Sequence, residues 1–227
     1  MDNKLLRIAA IISGISGIII LFSVILPIAS YQSISNQKYP DLLNPIVPST
    51  SKATLEEVDY TRASNWFVGT KDASFSSSNI SHYVITISKL GIKKATITIG
   101  GEDLSESLIQ YPGTALPGKN GNAVVFGHSI LPQFYDPEDY LSIFSTLPTL
   151  DEGDEIQLDY DGVVYKYIVE KMFEVSPTDI GVLEQDKSDS FLTLVTCVPP
   201  GHPLKPKRLI VRARIVPIEQ ANANISN

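Results

Sequence analysis

The sequence predicts a mainly β protein, a closed or nearly closed barrel of seven or eight short strands carried on one N-terminal membrane-spanning helix. Three observations predict it. β-rich segments separated by turn signals recur from about residue 81 to residue 217, only brief helical stretches interrupt them, and the run Ile8 to Ala29 contains no charge.

The apolar run comes first along the chain. Its 22 residues would span about 33 Å as a helix, the thickness of a bilayer core. A cleaved signal peptide has an apolar stretch of only about 7–15 residues, so a retained anchor is expected. Lys4 and Arg7 precede the run and no basic cluster follows it closely. The excess of positive charge on that side places residues 1–7 in the cytoplasm, a single span at 8–29 in the cell membrane, and the rest of the chain outside. Residues 30–80 read as an extracellular stalk, with Pro40, Pro45, Pro48 and the polar run Ser76 to Asn79 favouring irregular chain. Thr54 to Val58 reads as a brief helix. Trp66-Phe67-Val68 is an apolar island in the stalk, expected to dock on the following domain rather than to cover a groove.

The barrel is expected at 81–217. His82 to Ile87 is rich in β-formers, Ala95 to Ile99 alternates threonine with apolar residues, and Gly100-Gly101 ends it in a turn. Leu104 to Gln110 reads as a short helix. Ala123 to Gly127 is a compact buried strand ending at His128. Asp136-Pro137-Glu138-Asp139 reads as a helix start, with a capping residue, proline in the first turn and early acidic residues; Tyr140, Ile143, Phe144 and Leu147 supply its apolar face. Glu155 to Tyr160 and Val163 to Val175 are strands joined by the hairpin signal Asp161-Gly162. Phe191 to Cys197 and Arg208 to Val216 are the last strands, and residues 218–227 form a loose polar tail.

Composition narrows the function. A formal net charge of −7 gives no support for phosphate-backbone binding, so no nucleic-acid partner is expected. The single cysteine cannot form an internal disulfide, which leaves Cys197 as a buried small hydrophobe or a reactive thiol. Its position brings the reactive reading level with the structural one. The strand Thr193 to Cys197 runs directly into Val198-Pro199-Pro200-Gly201, where prolines end the ladder, so the thiol lies at a barrel rim.

His128 also stands at a strand end, and an imidazole within reach of a thiol permits a thiolate–imidazolium pair. His202 competes for that role, but a proline-flanked loop holds a base less well than a strand end. Three of the five arginines fall in Arg208 to Arg214, where alternation puts Arg208, Arg212 and Arg214 on one face. If this strand pairs antiparallel with the cysteine strand, Arg208 lies almost opposite Cys197, whereas Arg212 is displaced by roughly 13 Å. Arg208 is thus the arginine able to reach an oxyanion forming at Cys197.

These segments together resemble the sortase family. The resemblance is carried by Thr193-Leu194-x-Thr196-Cys197, the loop Val198 to Lys207 and Arg208-Leu209-Ile210-Val211. Upstream, Ile87-x-Lys89-Leu90-Gly91-Ile92 resembles the family's first-strand motif. Thr114-Ala115-Leu116-Pro117-Gly118-x-x-Gly121-Asn122, followed by Gly127-His128, resembles its histidine block. The resemblance implies an eight-stranded sortase-type barrel and a cysteine transpeptidase on the outer face of a membrane. It implies cleavage at the Thr–Gly bond of a Leu-Pro-x-Thr-Gly-like C-terminal sorting signal, through a thioacyl-enzyme that an amine resolves. The partners would be secreted proteins bearing such a signal, and a cell-wall precursor or pilin lysine as the amine.

On this resemblance Cys197 is the nucleophile, His128 the acid and base, and Arg208 the oxyanion or signal-peptide ligand, with Thr196 assisting. Some pilin-type sortases carry an Asp-Pro-aromatic lid motif before the barrel; here Asp59 and Trp66 stand too far apart to imitate it. Some members bind calcium near the position of Glu184, Asp186 and Asp189, but three loop carboxylates are usually solvated. No cofactor or metal is therefore expected. Two other readings compete. A peptidoglycan L,D-transpeptidase would carry its cysteine after a Ser-His-Gly-like run with an arginine one or two residues later, and neither is present. A non-enzymatic anchored β-domain binding a surface partner would bury an inert Cys197.

Overall fold

The structure, a computed structural model, describes residues 3–39, 59–66 and 81–217. Its centre is a closed barrel of eight strands: β1 (His82–Ile87), β2 (Ile92–Ile99), β3 (Leu108–Gln110), β4 (Gly121–Phe126), β5 (Glu155–Tyr160), β6 (Val163–Val175), β7 (Ser190–Val198) and β8 (Lys207–Ile215). The neighbours run β1-β2-β3-β4-β7-β8-β6-β5, and β5 pairs with β1 to close the sheet. Closure leaves no long unpaired edge. Two pairs, β2–β3 and β4–β7, are parallel, and the others are antiparallel.

Alternation decides which side chains fill the barrel. Leu192 and Leu194 of β7 and Leu209, Val211 and Ala213 of β8 join Ile85, Ile97, Val125 and Leu158 in the main core. The opposite faces of β4, β7 and β8 carry Val124, Phe126, Val195, Cys197 and Ile210 into a second cluster outside the barrel, together with Trp66 and Ala63. Asp161 and Gly162 take φ of 53° and 73°, the two left-handed residues that match a tight hairpin to strand twist.

Two expected helices are absent. Leu104 to Gln110 is a turn followed by β3. β3 earns its place by pairing with β2 and β4, a tertiary reward that local helix propensity does not contain. The segment after Asp136 is a chain of turns ending in a short 3-10 turn at Leu147–Thr149. There the Asp136 and Asp139 carboxylates accept from the amides of Glu138 and Leu141, and Ser142 Oγ bonds the backbone of Asp136. Such local bonds compete with a helical ladder. The apolar face was nonetheless legible, since Ile143, Phe144 and Leu147 are fully buried.

The N-terminal helix α1 (Asn3–Lys38) also departs from expectation. It continues past residue 29 for nine more residues, and this extension is not irregular stalk but a docked surface. Tyr31 and Ser35 hydroxyls donate to Glu174 of β6, and Lys38 Nζ binds the carbonyls of Pro148 and Leu150 and the Asp151 carboxylate. Glu174 in turn pairs with Lys207 at 2.7 Å. The segments Thr54 to Val58, Phe67-Val68 and 218–227 lie outside the described residues.

Candidate active site

β7 and β8 pair in a register that sets Cys197 directly opposite Arg208. β4 pairs with β7 in parallel, Phe126 beside Val195, so two more residues bring His128 level with Cys197. Three further bonds brace the two strand ends. Gly127 N–H donates to the Val195 carbonyl at 3.1 Å, Thr196 Oγ1 donates to the Gly127 carbonyl at 2.8 Å, and Ser129 Oγ donates to the Cys197 carbonyl at 2.6 Å. The His128 carbonyl accepts from Phe144 N–H at 2.9 Å. A Cβ on Gly127 would lie 2.4 Å from the Phe144 ring and 2.5 Å from Leu108, so only glycine lets the chain pass beneath Phe144 and deliver His128.

All three expected groups thus converge at one end of the barrel. Thr196 is held beside the site by its own contact. Strand alternation turns it away from Cys197, and its hydroxyl is committed to the Gly127 carbonyl, where it fixes the histidine strand to the cysteine strand. His202 stays in the loop after Cys197, and its Nδ1 accepts from Leu204 N–H. Arg212 lies over the Phe191 ring at 4.5 Å, four residues along β8 from Arg208. Among the described residues no group of three or more His, Cys, Asp or Glu side chains is placed to hold a metal ion.

The site is covered. Cys197, His128 and Arg208 are 1%, 5% and 0% exposed, and the segment 59–66 supplies the lid. Trp66 is fully buried, with its ring 5.4 Å from Phe126 and 5.8 Å from His128, and its indole N–H donates to the Tyr60 carbonyl. The Trp66 carbonyl accepts from Arg208 Nε at 3.2 Å. The guanidinium stands 5.3 Å from the Tyr60 ring and 5.5 Å from the Trp66 ring. Docking and covering, set apart in the sequence reading, are one contact, because the apolar patch that receives Trp66 lies beside Cys197 and His128. Asp59 acts locally, capping the turn through the amide and hydroxyl of Thr61.

Burial dictates the electrostatics. His128 is held down to about 4, first by burial and then by the Lys205 charge. Burial pushes the Cys197 thiol up, and the positive charges of Arg208 and Lys205 only partly oppose it. In the covered state both groups are therefore neutral at pH 7. Two of the buried polar atoms without a partner among the described residues belong to this site: His128 Nε2 and one terminal nitrogen of Arg208. Arg208 otherwise bonds only carbonyls, those of Trp66, Lys205 and Lys207. A buried cation with no carboxylate partner among the described residues, beside a thiol, is suited to receive negative charge as it develops there.

Trp66, Tyr60, Ser129 and Lys205 were not assigned to the site from sequence. The signal for Trp66 was present, since the chain's only tryptophan stood in an otherwise polar stretch. Ser129 carried a weaker one, following His128 at the brace to β7.

Comparison with known proteins agrees with this geometry. The Sortase domain family model matches residues 85–216. The fold is similar to a Clostridium perfringens sortase D5 transpeptidase, with 28% identity, 60% of this chain and 79% of that chain covered, and a TM-score of 0.51. It is also similar to sortase C1 from Streptococcus agalactiae, with 31% identity, 60% and 67% coverage and a TM-score of 0.51. A lid mutant of that S. agalactiae enzyme, at 23% identity, 60% and 69% coverage and a TM-score of 0.51, shares the fold. No match is found among curated proteins. With a family match over more than half its length and an eight-stranded barrel shared with solved sortases, the chain belongs to the sortase family of cysteine transpeptidases.

Proposed function

We propose that this sortase is anchored in the cell membrane by α1, with its N-terminus in the cytoplasm and its barrel outside. There it cleaves a Leu-Pro-x-Thr-Gly-like C-terminal signal and transfers the acyl group to an amine. The carrying observation is the convergence of Cys197, His128 and Arg208 at one barrel end. The anchor is supported by a helix with a span of mean hydropathy 2.6 and no burial in its apolar window, and by Lys4 and Arg7 on its inner side.

The covering segment must first move aside. Hydration then removes the burial that keeps the imidazole and thiol neutral, and the proton passes from Cys197 Sγ to His128. The thiolate attacks the threonine carbonyl carbon. Arg208, released from the Trp66 carbonyl, donates to the oxyanion. The C–N bond breaks as His128 gives its proton to the leaving glycine amine, and a thioester remains. The incoming amine loses a proton to His128, attacks the thioester carbonyl, and the thiolate leaves with the new amide formed. Cys197→Ala is expected to abolish cleavage of a Leu-Pro-x-Thr-Gly peptide, and the thioacyl adduct in mass spectra, with an unchanged circular dichroism spectrum. Surviving cleavage excludes this mechanism. An inert thiol in the wild-type chain under a thiol-directed probe, with no cleavage, would favour a binding module instead.

A further inference from the structure

The contact between α1 and the loop after His128 lies at membrane depth. A bilayer core about 30 Å thick takes about 20 helical residues. Counted from the first apolar residue after Arg7, those are Ile8 to Pro27; counted from Leu5, the earliest start after Lys4, they are Leu5 to Val24. Either way Ser23 falls inside the span, and tilting the helix draws still more of it in. Yet Gln133 of the barrel reaches Ser23: its side-chain amide donates to the Ser23 carbonyl at 3.1 Å.

That carbonyl has a specific need. In an α-helix it would accept from the N–H four residues on, which here is Pro27, the proline inside α1. Proline has no N–H, and lipid offers no replacement donor. Gln133 supplies one. The next residue, Phe134, is 61% exposed, a large apolar side chain with no place in the barrel core. Pro132, Pro200, Leu26, Pro27 and Ile34 line a mostly apolar groove of about 690 Å³ between helix and barrel. The loop after β4 and the loop after β7 meet there, since a Cβ on Gly201 would lie 2.5 Å from Leu131.

We propose that the loop Leu131 to Phe134 enters the outer leaflet of the bilayer, with Phe134 among the acyl chains near the headgroups and Gln133 locking the barrel to the carbonyl that Pro27 leaves open. The occupant of this surface is lipid. The proposal rests on the anchored reading above. It holds the catalytic rim at the membrane surface, where a scissile bond close to an apolar tail can reach Cys197.

The test uses the full chain in phosphatidylcholine–phosphatidylglycerol vesicles, with Cys197→Ala so that one introduced cysteine carries an environment-sensitive fluorophore. Three sites are compared, Phe134→Cys, Val164→Cys and Ile20→Cys. Val164 is exposed and apolar too, but lies eleven residues along β6 from the Arg208 partner Val175. Lipids spin-labelled near the headgroup are expected to quench position 134 at least threefold more than position 164, and lipids labelled deep in the chain to quench position 20. Quenching at 20 with 134 no higher than 164 overturns the proposal and leaves the anchor standing. Absence of quenching at 20 overturns the anchored reading and the proposal with it.

Discussion

β7 and β6 are strands of one barrel with opposite surroundings. All nine residues of β7 are buried, on both faces. β6 alternates, and at its hairpin end Val163 and Val164 remain exposed. A sheet strand is covered on both faces only where something lies outside the barrel, and over β7 that outer layer includes Trp66 and Ala63 of the segment before the barrel. The strand with the second layer carries Cys197, the proposed nucleophile. The same burial that completes the packing favours the uncharged forms of Cys197 and His128. At the β5–β6 end no described residue covers Val163 and Val164.

This contrast can be broken most sharply at the arginines of β8. Arg208→Lys is expected to lower kcat/KM by about 100-fold or more, since a point charge cannot replace a planar fork or an aligned oxyanion donor. Arg212→Lys, four residues away, should stay within a few-fold. Equal losses would show that the wrong arginine has been assigned, and steady-state kinetics on one peptide suffices to compare them.

The covering layer itself gives the next largest effect. Replacing a fully buried tryptophan removes about 3 kcal/mol or more of packing, here from a segment that lies outside the barrel strands. Trp66→Ala should therefore raise the rate of Cys197 modification by a methanethiosulfonate reagent by about 100-fold. An unchanged rate would mean that Trp66 does not hold the site closed.

Acidity sharpens the comparison with a smaller effect. Released or unfolded, His128 titrates near its ordinary 6.5; covered, it titrates at about 4. Between these values the open form binds the proton that the covered form refuses, so the covered form loses stability as pH falls from about 6.5 to about 4. The loss is at most about 3 kcal/mol. Denaturant unfolding or hydrogen exchange over 59–66 should show it, and His128→Gln should flatten the dependence. A profile unaltered by that change would assign the acid sensitivity elsewhere.

Much of the barrel was legible because strand alternation, the Asp161-Gly162 turn and the proline break after Cys197 are local signals that tertiary packing reinforces. Arg208 was legible for the same reason, since antiparallel register follows from one short loop. The Leu104 and Asp136 segments were misread where local cues disagreed with their outcome. β3 exists only through its neighbours, and the aspartates chose side-chain bonds over a ladder. The contact of the Thr196 hydroxyl was not legible because its partner, the Gly127 carbonyl, lies 69 residues away.

By itself the sequence determined the apolar span, the strand pattern and the placement of Cys197, His128 and Arg208 at strand ends, because each is written within a few residues. Only the tertiary structure decided that Trp66 lies on His128, that Arg208 is held by a carbonyl from the lid, and that Gln133 meets the carbonyl Pro27 leaves open. Those contacts join segments far apart in the chain, and their energies depend on burial, which no local stretch of sequence specifies.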